Sequence, residues 1–252
     1  MPLTDQEYEA VASPIEDALG LPNRAYTCES FLNEETKRVF SNSWIGIAFT
    51  TDVTKPGDIY PVTAAGQPLI VVHGQDNQIR VFHNVCRHRG VKMVDAPCAD
   101  KKLIVCPYHA WSYTLDGALK ATPHFNGIKD NSRPSLDGSS QNLFEVRCGI
   151  WNHVIMVNLS GNAALLDKWT AKLDARWEPF DIDNMVPGGN MTFEFEDNWK
   201  LVLENYLESY HLPAVHPVLD SFSPMKDHVL VVDDLFMGQL SLNYRPNDDG
   251  KG

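Results

Sequence analysis

The sequence lacks any long run of apolar residues. Its longest apolar stretches, Pro68–Val72 and Ile150–Val157, are much shorter than the roughly 20 residues that a membrane-spanning helix needs. The first ten residues are polar and acidic, unlike the apolar core of a secretory signal. We therefore expect no membrane partner and a cytoplasmic location.

Positive charge and cysteine are also scarce. The 21 Lys and Arg residues are outnumbered by 33 Asp and Glu, so the formal net charge is −12. Nucleic acid attracts cationic proteins, so we expect no nucleic-acid partner, whereas a neutral or cationic small-molecule substrate is compatible with this charge. The five cysteines are few and odd in number. In a reducing compartment they indicate metal binding or free thiols rather than a disulfide framework.

The pattern of predicted secondary structure changes twice along the chain. Residues 1–43 are typical of helix, residues 44–160 contain short β-like runs separated by turn signals such as Pro56-Gly57, and residues 161–252 mix helical and strand patterns. We predict an α+β protein in which a helical segment precedes an antiparallel β domain and a mixed region follows it. The antiparallel domain accounts for most of the predicted strands.

Individual elements are predicted from apolar periodicity. We expect helices over Asn33–Phe40, Ala163–Trp177 and Asn198–His211, and strands over Trp44–Phe49, Asp58–Val62, Leu69–His73, Gln78–Phe82, Ile150–Leu159, Met191–Phe195, Val229–Val232 and Phe236–Tyr244. The density of apolar residues in Asn198–His211 predicts a largely buried helix.

Two short motifs each pair a cysteine with a histidine. Cys86 and His88 are separated by one residue, Cys106 and His109 by two, and 17 residues lie between the pairs. Two cysteines and two histidines fit a [2Fe–2S] cluster with thiolates on one iron and imidazoles on the other. A structural zinc site is the alternative, although zinc fingers usually place the two cysteines together.

The three remaining cysteines, Cys28, Cys98 and Cys148, belong to no paired motif. A free cysteine in a folded protein commonly behaves as a small hydrophobic residue. We therefore interpret these three as buried apolar side chains.

A second candidate metal site lies near the end of the apolar segment Asn198–His211. Glu208 and His211 are three residues apart and would share one face of a helix. His216 would lie about 140° further round a regular helix, so both imidazoles converge only if the helix breaks, and Pro213 supplies a cause. Two converging histidines with a carboxylate are typical of non-haem Fe(II) oxygenases; the alternative is a pair of ordinary histidines near a helix end.

These motifs resemble the Rieske domain and mononuclear-iron motif of ring-hydroxylating oxygenase large subunits. Val91 and Tyr108 occupy the positions at which respiratory Rieske proteins have a disulfide pair, which favours the oxygenase branch. Ala110 replaces the more usual glycine before Trp111. The resemblance implies an all-β Rieske [2Fe–2S] domain over 44–160, after an N-terminal helical segment, and the first part of a helix-grip-like catalytic domain over 161–252.

The resemblance also implies roles for the second motif. His211 and His216 would bind Fe(II), and Glu208, where many members have Asp, would connect His211 to a cluster ligand, His109 of a partner subunit. Asn205 on the same face would assist Glu208. The third iron ligand is an aspartate expected beyond Gly252, so we expect an incomplete catalytic domain. We interpret the available carboxylates as solvated loop acids: Asp220, Asp227, Asp233 and Asp234.

The function implied is O2-dependent hydroxylation of an aromatic ring or a quaternary ammonium compound. A reductase or ferredoxin would pass electrons from NAD(P)H to the [2Fe–2S] cluster and on to the mononuclear iron, in a homotrimer or an α3β3 assembly. Two alternatives remain open. One is a Rieske electron carrier without oxygenase activity, and the other is a zinc-stabilised binding module.

Overall fold

The computed structural model describes residues 3–130 and 141–245. The chain folds into two compact units. One spans Asn33–Gly189, and the other combines the described residues of Met1–Leu32 and Asn190–Gly252. The domain boundaries at residues 43 and 160 stay predictions.

The helices and strands alternate irregularly along the chain. The α-helices are α1 Asp5–Val11, α2 Arg24–Thr27, α3 Glu29–Glu35, α4 Leu166–Trp177, α5 Trp199–Leu207, α6 Leu212–Val215 and α7 Pro217–Phe222. A π-helix spans Thr36–Phe40, and short 3-10 helices span Thr50–Asp52, Ile182–Asn184 and Met225–Asp227. The strands are β1 Ile45–Phe49, β2 Ile59–Ala64, β3 Gln67–His73, β4 Ile79–His83, β5 Ile104–Val105, β6 Ser112–Tyr113, β7 Leu119–Ala121, β8 Glu145–Trp151, β9 Val154–Asn158, β10 His228–Val232 and β11 Met237–Ser241.

The larger unit contains a six-stranded antiparallel sheet in the order β1-β9-β8-β4-β3-β2 and a three-stranded sheet in the order β5-β6-β7. Strand β3 is central enough that Leu69–Val72 is fully buried, as a run of consecutive apolar residues requires. One apolar core forms around Phe82, Trp111 and Tyr113, and it includes both motif cysteines, Cys86 and Cys106. The α+β class and the antiparallel β domain are confirmed.

One predicted strand is instead a hairpin. The run Ile150–Leu159 contains the end of β8 and all of β9, joined through Asn152 and His153. Both residues have positive φ, at 47° and 65°, as the two central residues of a type I′ hairpin turn require. The single-strand prediction was wrong because the apolar pattern continues on both sides of this turn.

The smaller unit contains α5 and the two-stranded sheet β10-β11. The predicted strand Met191–Phe195 is not one, because it pairs with no strand among the residues that the structure describes. The predicted burial of the helix was also wrong, since Leu201, Val202 and Leu203 are 43–46% exposed. An apolar helix is buried only where a second layer packs on it. No helix in the described ranges is both long and apolar enough to cross a membrane.

Candidate functional site

Two loops with the same backbone hydrogen bonds carry the four predicted cluster ligands. Each loop begins at a cysteine, Cys86 after β4 or Cys106 after β5. In each, the cysteine N–H donates to the carbonyl five residues later, and the cysteine carbonyl accepts from the N–H four residues later. The partners are Val91 (2.8 Å) and Gly90 (3.0 Å) in the first loop, and Trp111 (2.8 Å) and Ala110 (3.1 Å) in the second. Both loops therefore present their side chains from a closed backbone turn.

The fifth residue of each loop has a left-handed backbone. Gly90 has φ 70° and Ala110 has φ 56°. The left-handed conformation costs a residue with a Cβ roughly 1–2 kcal/mol, a cost that glycine escapes.

We expect Ala110→Gly to raise the free energy of unfolding by about 0.5–1 kcal/mol, because relief of this strain exceeds the extra entropy of an unfolded glycine. Thermal unfolding of the cluster-loaded protein measures the change. Ala64→Gly is the control, since this buried residue ends β2 without a positive φ and should destabilise the chain. Equal destabilisation by both substitutions would contradict the prediction.

The two cysteines lie deeper than the two histidines. Cys86 and Cys106 are 2% and 3% exposed, His88 is partly buried and His109 is exposed. The imidazoles of His88 and His109 meet edge to face with ring centroids 4.7 Å apart. His88 also stacks on the indole of Trp111, with centroids 4.7 Å apart and planes 7° from parallel. The two cysteine side chains thus belong to the core, and the imidazoles lie at its edge.

The residues present fit a [2Fe–2S] cluster. His88 Nδ1 is buried and has no hydrogen-bond partner within the described structure, a cost of about 1–3 kcal/mol that a bound metal would remove. Burial lowers the pKa of His88, which keeps the ring neutral as a ligand must be. Burial raises the pKa of the Cys86 thiol, and a bound cation would favour its thiolate.

The same geometry argues against a single zinc ion. Within residues 3–130 and 141–245, no group of three or more His, Cys, Asp or Glu side chains is placed to hold one metal ion. Tetrahedral zinc needs four ligands converging on one point, whereas a Rieske cluster takes only two protein ligands at each iron.

The sequence analysis missed a tyrosine beside the first loop. Tyr113 is fully buried, and its hydroxyl accepts a hydrogen bond from the Arg87 N–H (3.1 Å) while lying 3.5 Å from Cys86 Sγ. Burial raises the pKa of Tyr113, so the hydroxyl keeps the proton that it can donate to sulfur. The available sequence signal was a tyrosine two positions after Trp111.

Tyr113→Phe should lower the reduction potential of the cluster on the order of 40 mV, equivalent to about 1 kcal/mol for one electron. A hydrogen bond to sulfur stabilises the more negative, reduced state, so its loss favours oxidation. Protein-film voltammetry measures the shift. Tyr108→Phe is the control, because Tyr108 is largely exposed and packs its ring on His109. An unchanged potential in Tyr113→Phe would show that the hydroxyl serves packing alone.

The second site is built differently from its prediction. Helix α5 ends at Leu207, and Glu208 is extended, with φ −122° and ψ 150°. Glu208 and His211 therefore do not share a helix face. The break lies at Glu208 rather than at Pro213, which stands in the first turn of α6, where proline is tolerated.

The Glu208 carboxylate binds the residues that follow the end of α5. Glu208 accepts hydrogen bonds from the backbone N–H groups of Tyr210 and His211 and from His211 Nδ1. The hydrogen bond from the His211 ring is the largest cause of the lowered pKa of Glu208. Because Nδ1 is occupied, the His211 ring has Nε2 available for a metal, the arrangement commonly seen in metal-binding histidines.

The two histidines of this segment do converge. The rings of His211 and His216 have centroids 5.3 Å apart and meet at 76°. Both line a cavity of about 350 Å³ that Asn205 and Glu208 also line. Two imidazoles and open space beside them fit a non-haem Fe(II) site.

The aspartates near this cavity supply no third ligand. Asp220 accepts a hydrogen bond from the Met225 N–H (2.8 Å), and Asp227 accepts one from the Asn243 amide (3.4 Å). In the part of the chain that the structure describes, no third metal-binding side chain joins His211 and His216. An aspartate ligand beyond Gly252 stays a prediction.

Comparison with known proteins identifies both halves of the chain. Residues 43–132 match the model of the Rieske [2Fe–2S] domain, and residues 182–251 match that of the ring-hydroxylating alpha subunit catalytic domain. The chain is a homologue of Rieske oxygenase alpha subunits. The [2Fe–2S] and non-haem iron cofactors expected from the resemblance are those of this family.

This Rieske oxygenase homologue is similar to several characterised oxygenase subunits. It is 28% identical to the carnitine monooxygenase oxygenase subunit of Escherichia coli K12 over 204 residues, covering 80% of the chain and 53% of that protein. It is 31% identical to the glycine betaine monooxygenase oxygenase subunit of Chromohalobacter salexigens over 199 residues, covering 79% and 43%. The chain thus spans about half the length of these relatives.

Solved structures share the fold of the homologue. A quaternary ammonium Rieske monooxygenase with a bound inhibitor matches with a TM-score of 0.80 at 24% identity, covering 90% of this chain and 63% of that one. Naphthalene 1,2-dioxygenase bound to phenanthrene matches with a TM-score of 0.66 at 27% identity, covering 77% and 44%. The all-β Rieske domain followed by part of an α+β catalytic domain is confirmed.

Proposed function

We propose that this chain is the electron-relaying, O2-activating part of a Rieske oxygenase that hydroxylates a quaternary ammonium compound. The observation that carries the proposal is the arrangement of Glu208, His211 and His216, in which a carboxylate orients one of two imidazoles on a common cavity. Electron delivery by a reductase or ferredoxin, and assembly as a homotrimer or α3β3, belong to the same proposal.

Each predicted ligand has a distinct task. Cys86 and Cys106 would hold one iron of the cluster within the apolar core, where water is excluded. His88 and His109 would hold the other iron at the edge of that core. When bound, the cluster supplies one-electron storage and the mononuclear Fe(II) supplies the place where O2 is reduced. The exposure of His109 suits it to pass electrons towards Glu208 of a partner subunit.

Glu208 and Asn205 act on the protein side of this transfer. The Glu208 carboxylate holds the proton-bearing Nδ1 of His211, which fixes the tautomer and orientation of that ring. Asn205 lines the same cavity one helical turn earlier. We propose that Asn205 supports Glu208 when His109 of the partner subunit approaches the carboxylate.

A quaternary ammonium substrate is favoured over an aromatic ring. Carnitine, glycine betaine and choline appear in the names of relatives, the last in the chloroplastic choline monooxygenase of Beta vulgaris, which is 30% identical over 210 residues and is matched over 46% of its length. Two aromatic rings, Tyr206 and Tyr244, line the cavity beside the histidines. A ring face attracts a quaternary cation, and the net charge of −12 is compatible with one.

Metal content and a single turnover test the proposal. We expect about three irons per chain and the EPR signal of a reduced Rieske cluster. The reduced protein is then exposed to O2 with L-carnitine, glycine betaine, choline or naphthalene. Formation of an oxidised product from a quaternary ammonium compound alone is expected.

Each other outcome would contradict a defined part of the proposal. Hydroxylated naphthalene alone would place the chain in the aromatic branch. About two irons per chain with no product would identify an electron carrier. A colourless, EPR-silent protein with stoichiometric zinc would identify a binding module.

A further inference from the structure

A chain of hydrogen-bonded side chains connects the two segments that carry the second site. It runs from Ser223, which caps the helix that follows His216, through His228 on β10 and Gln239 on β11, to the end of α5. All of these residues lie in the smaller unit. They also line the cavity that His211 and His216 share.

Gln239 holds the end of the helix that precedes Glu208. Its side-chain amide nitrogen donates to the carbonyl of Tyr206 (2.9 Å) and lies 3.5 Å from the carbonyl of Glu208. The last carbonyls of a helix lack partners within the helix, so a side-chain donor there determines where the following residue begins. Glu208 is that following residue, extended and turned towards His211.

His228 determines which way the Gln239 amide points. Since the nitrogen of Gln239 faces two carbonyls, its oxygen faces His228 Nδ1 at 3.0 Å, and Nδ1 must carry the proton. On the other side of the ring, Nε2 lies 2.9 Å from the Ser223 hydroxyl and 3.2 Å from the Ser223 carbonyl. Both ring nitrogens of His228 are therefore engaged.

This engagement separates His228 from the other histidines of the cavity. A metal ligand needs a free ring nitrogen, and His228 has both of its nitrogens in hydrogen bonds. Consistently, no three potential ligands in the described ranges are placed to hold one ion. His228, the third histidine that lines the cavity, thus influences the site through neighbouring residues rather than as a metal ligand.

We propose that His228 and Gln239 are positioning residues for the second metal site. They fix the end of α5 so that the Glu208 carboxylate meets His211, and they connect this end to the segment after His216. The inference rests on the proposed function, because it assigns a role to residues around that same site.

Binding of Co²⁺ to the cluster-loaded chain tests the proposal. Loss of a group that supports metal ligands typically weakens metal binding about 10–100-fold. We expect Gln239→Leu and His228→Phe to weaken Co²⁺ binding by at least about tenfold. His228→Asn should restore most of the affinity, because its amide N–H can replace Nδ1–H towards Gln239.

Asn243→Leu is the matched control, since it removes a side-chain amide just after β11, and this amide donates to Asp227 rather than to α5. It should leave Co²⁺ binding unchanged. Parent-like binding by Gln239→Leu, or equal losses in His228→Asn and His228→Phe, would overturn the proposal.

A metal-free measurement separates this inference from the proposed function. The amides of Tyr210 and His211 donate to the Glu208 carboxylate, so their hydrogen exchange reports its position. Faster exchange in Gln239→Leu but not in Asn243→Leu is expected, and unchanged exchange would overturn the inference. If the parent binds no more Co²⁺ than His211→Ala, the proposed iron site fails, whatever the exchange result.

Discussion

Cys106→Ser is expected to lose the [2Fe–2S] cluster, and with it about two irons per chain, the visible absorption and the EPR signal of the reduced protein. The side chain of Cys106 lies in the core with Trp111 and Tyr113, and its loop is closed by hydrogen bonds to the backbone of Trp111 and Ala110. A serine oxygen can occupy that place but does not replace the thiolate as a ligand for this iron. Iron and sulfide analysis with EPR measures the loss.

Cys98→Ser is the matched control for this substitution. Cys98 is partly buried and packs against the same core, but it belongs to neither ligand loop. Its backbone pairs with Ile59, and this pairing does not depend on the side chain. We expect it to keep the full cluster. A cluster retained in Cys106→Ser, or lost in Cys98→Ser, would refute the ligand assignment.

Asn84→Ala is expected to reduce the free energy of unfolding by about 3 kcal/mol, because three hydrogen bonds are lost and buried backbone groups are left unpaired. Asn84 is fully buried two residues before Cys86. Its amide donates to the carbonyl of Val94 (2.7 Å) and accepts from the N–H groups of Met93 and Val94 (both 3.0 Å). These bonds hold the segment after the first ligand loop against β4, so cluster release should accelerate with the loss of stability.

Asn158→Ala separates the two effects. Asn158 is equally buried, donates to the carbonyls of Ser41 and Ser43 and accepts from the Ala163 N–H (3.1 Å), in the same unit but away from the ligand loops. Denaturant unfolding should show a similar destabilisation, whereas the rate of cluster release under native conditions should stay at the parental value. Equal acceleration of release in both variants would show that Asn84 has no specific role at the cluster.

The sequence was sufficient for features that depend on neighbouring residues. The Cys86–His88 and Cys106–His109 pairs are local, so their convergence in two loops could be anticipated from spacing alone. The strands around residues 45–83 also follow local apolar patterns, and the fold class built from them is confirmed. The assignment of these four side chains as cluster ligands stays a prediction.

Features that depend on distant contacts could not be read in the same way. The end of α5 at Leu207 is accompanied by hydrogen bonds from Gln239, 33 residues from the carbonyl of Tyr206 that it caps. Tyr113 approaches Cys86 across 27 residues, and Asn84 binds backbone groups nine and ten residues away. Apolar periodicity contains no information about such partners.

The exposure of α5 illustrates the same limit from the other side. Leu201, Val202 and Leu203 have the sequence pattern of a buried helix, but they are 43–46% exposed. Periodicity predicts which face of a helix is apolar, not whether another layer covers that face. The burial prediction was therefore wrong, and the helix begins as predicted but ends at Leu207, four residues before the predicted end.

The matching loop backbones have a consequence for the direction of electron transfer. The first loop places its histidine two residues after the cysteine and the second places it three residues after, on otherwise equal hydrogen-bond frames. That single residue leaves one imidazole stacked against Trp111 and the other open to the surface. With both imidazoles bound to the cluster, electrons would leave through His109, because tunnelling favours the ligand that lies at the surface. A one-residue shift of the histidine within loops of equal length, not any difference in scaffold, would then give the electron its exit.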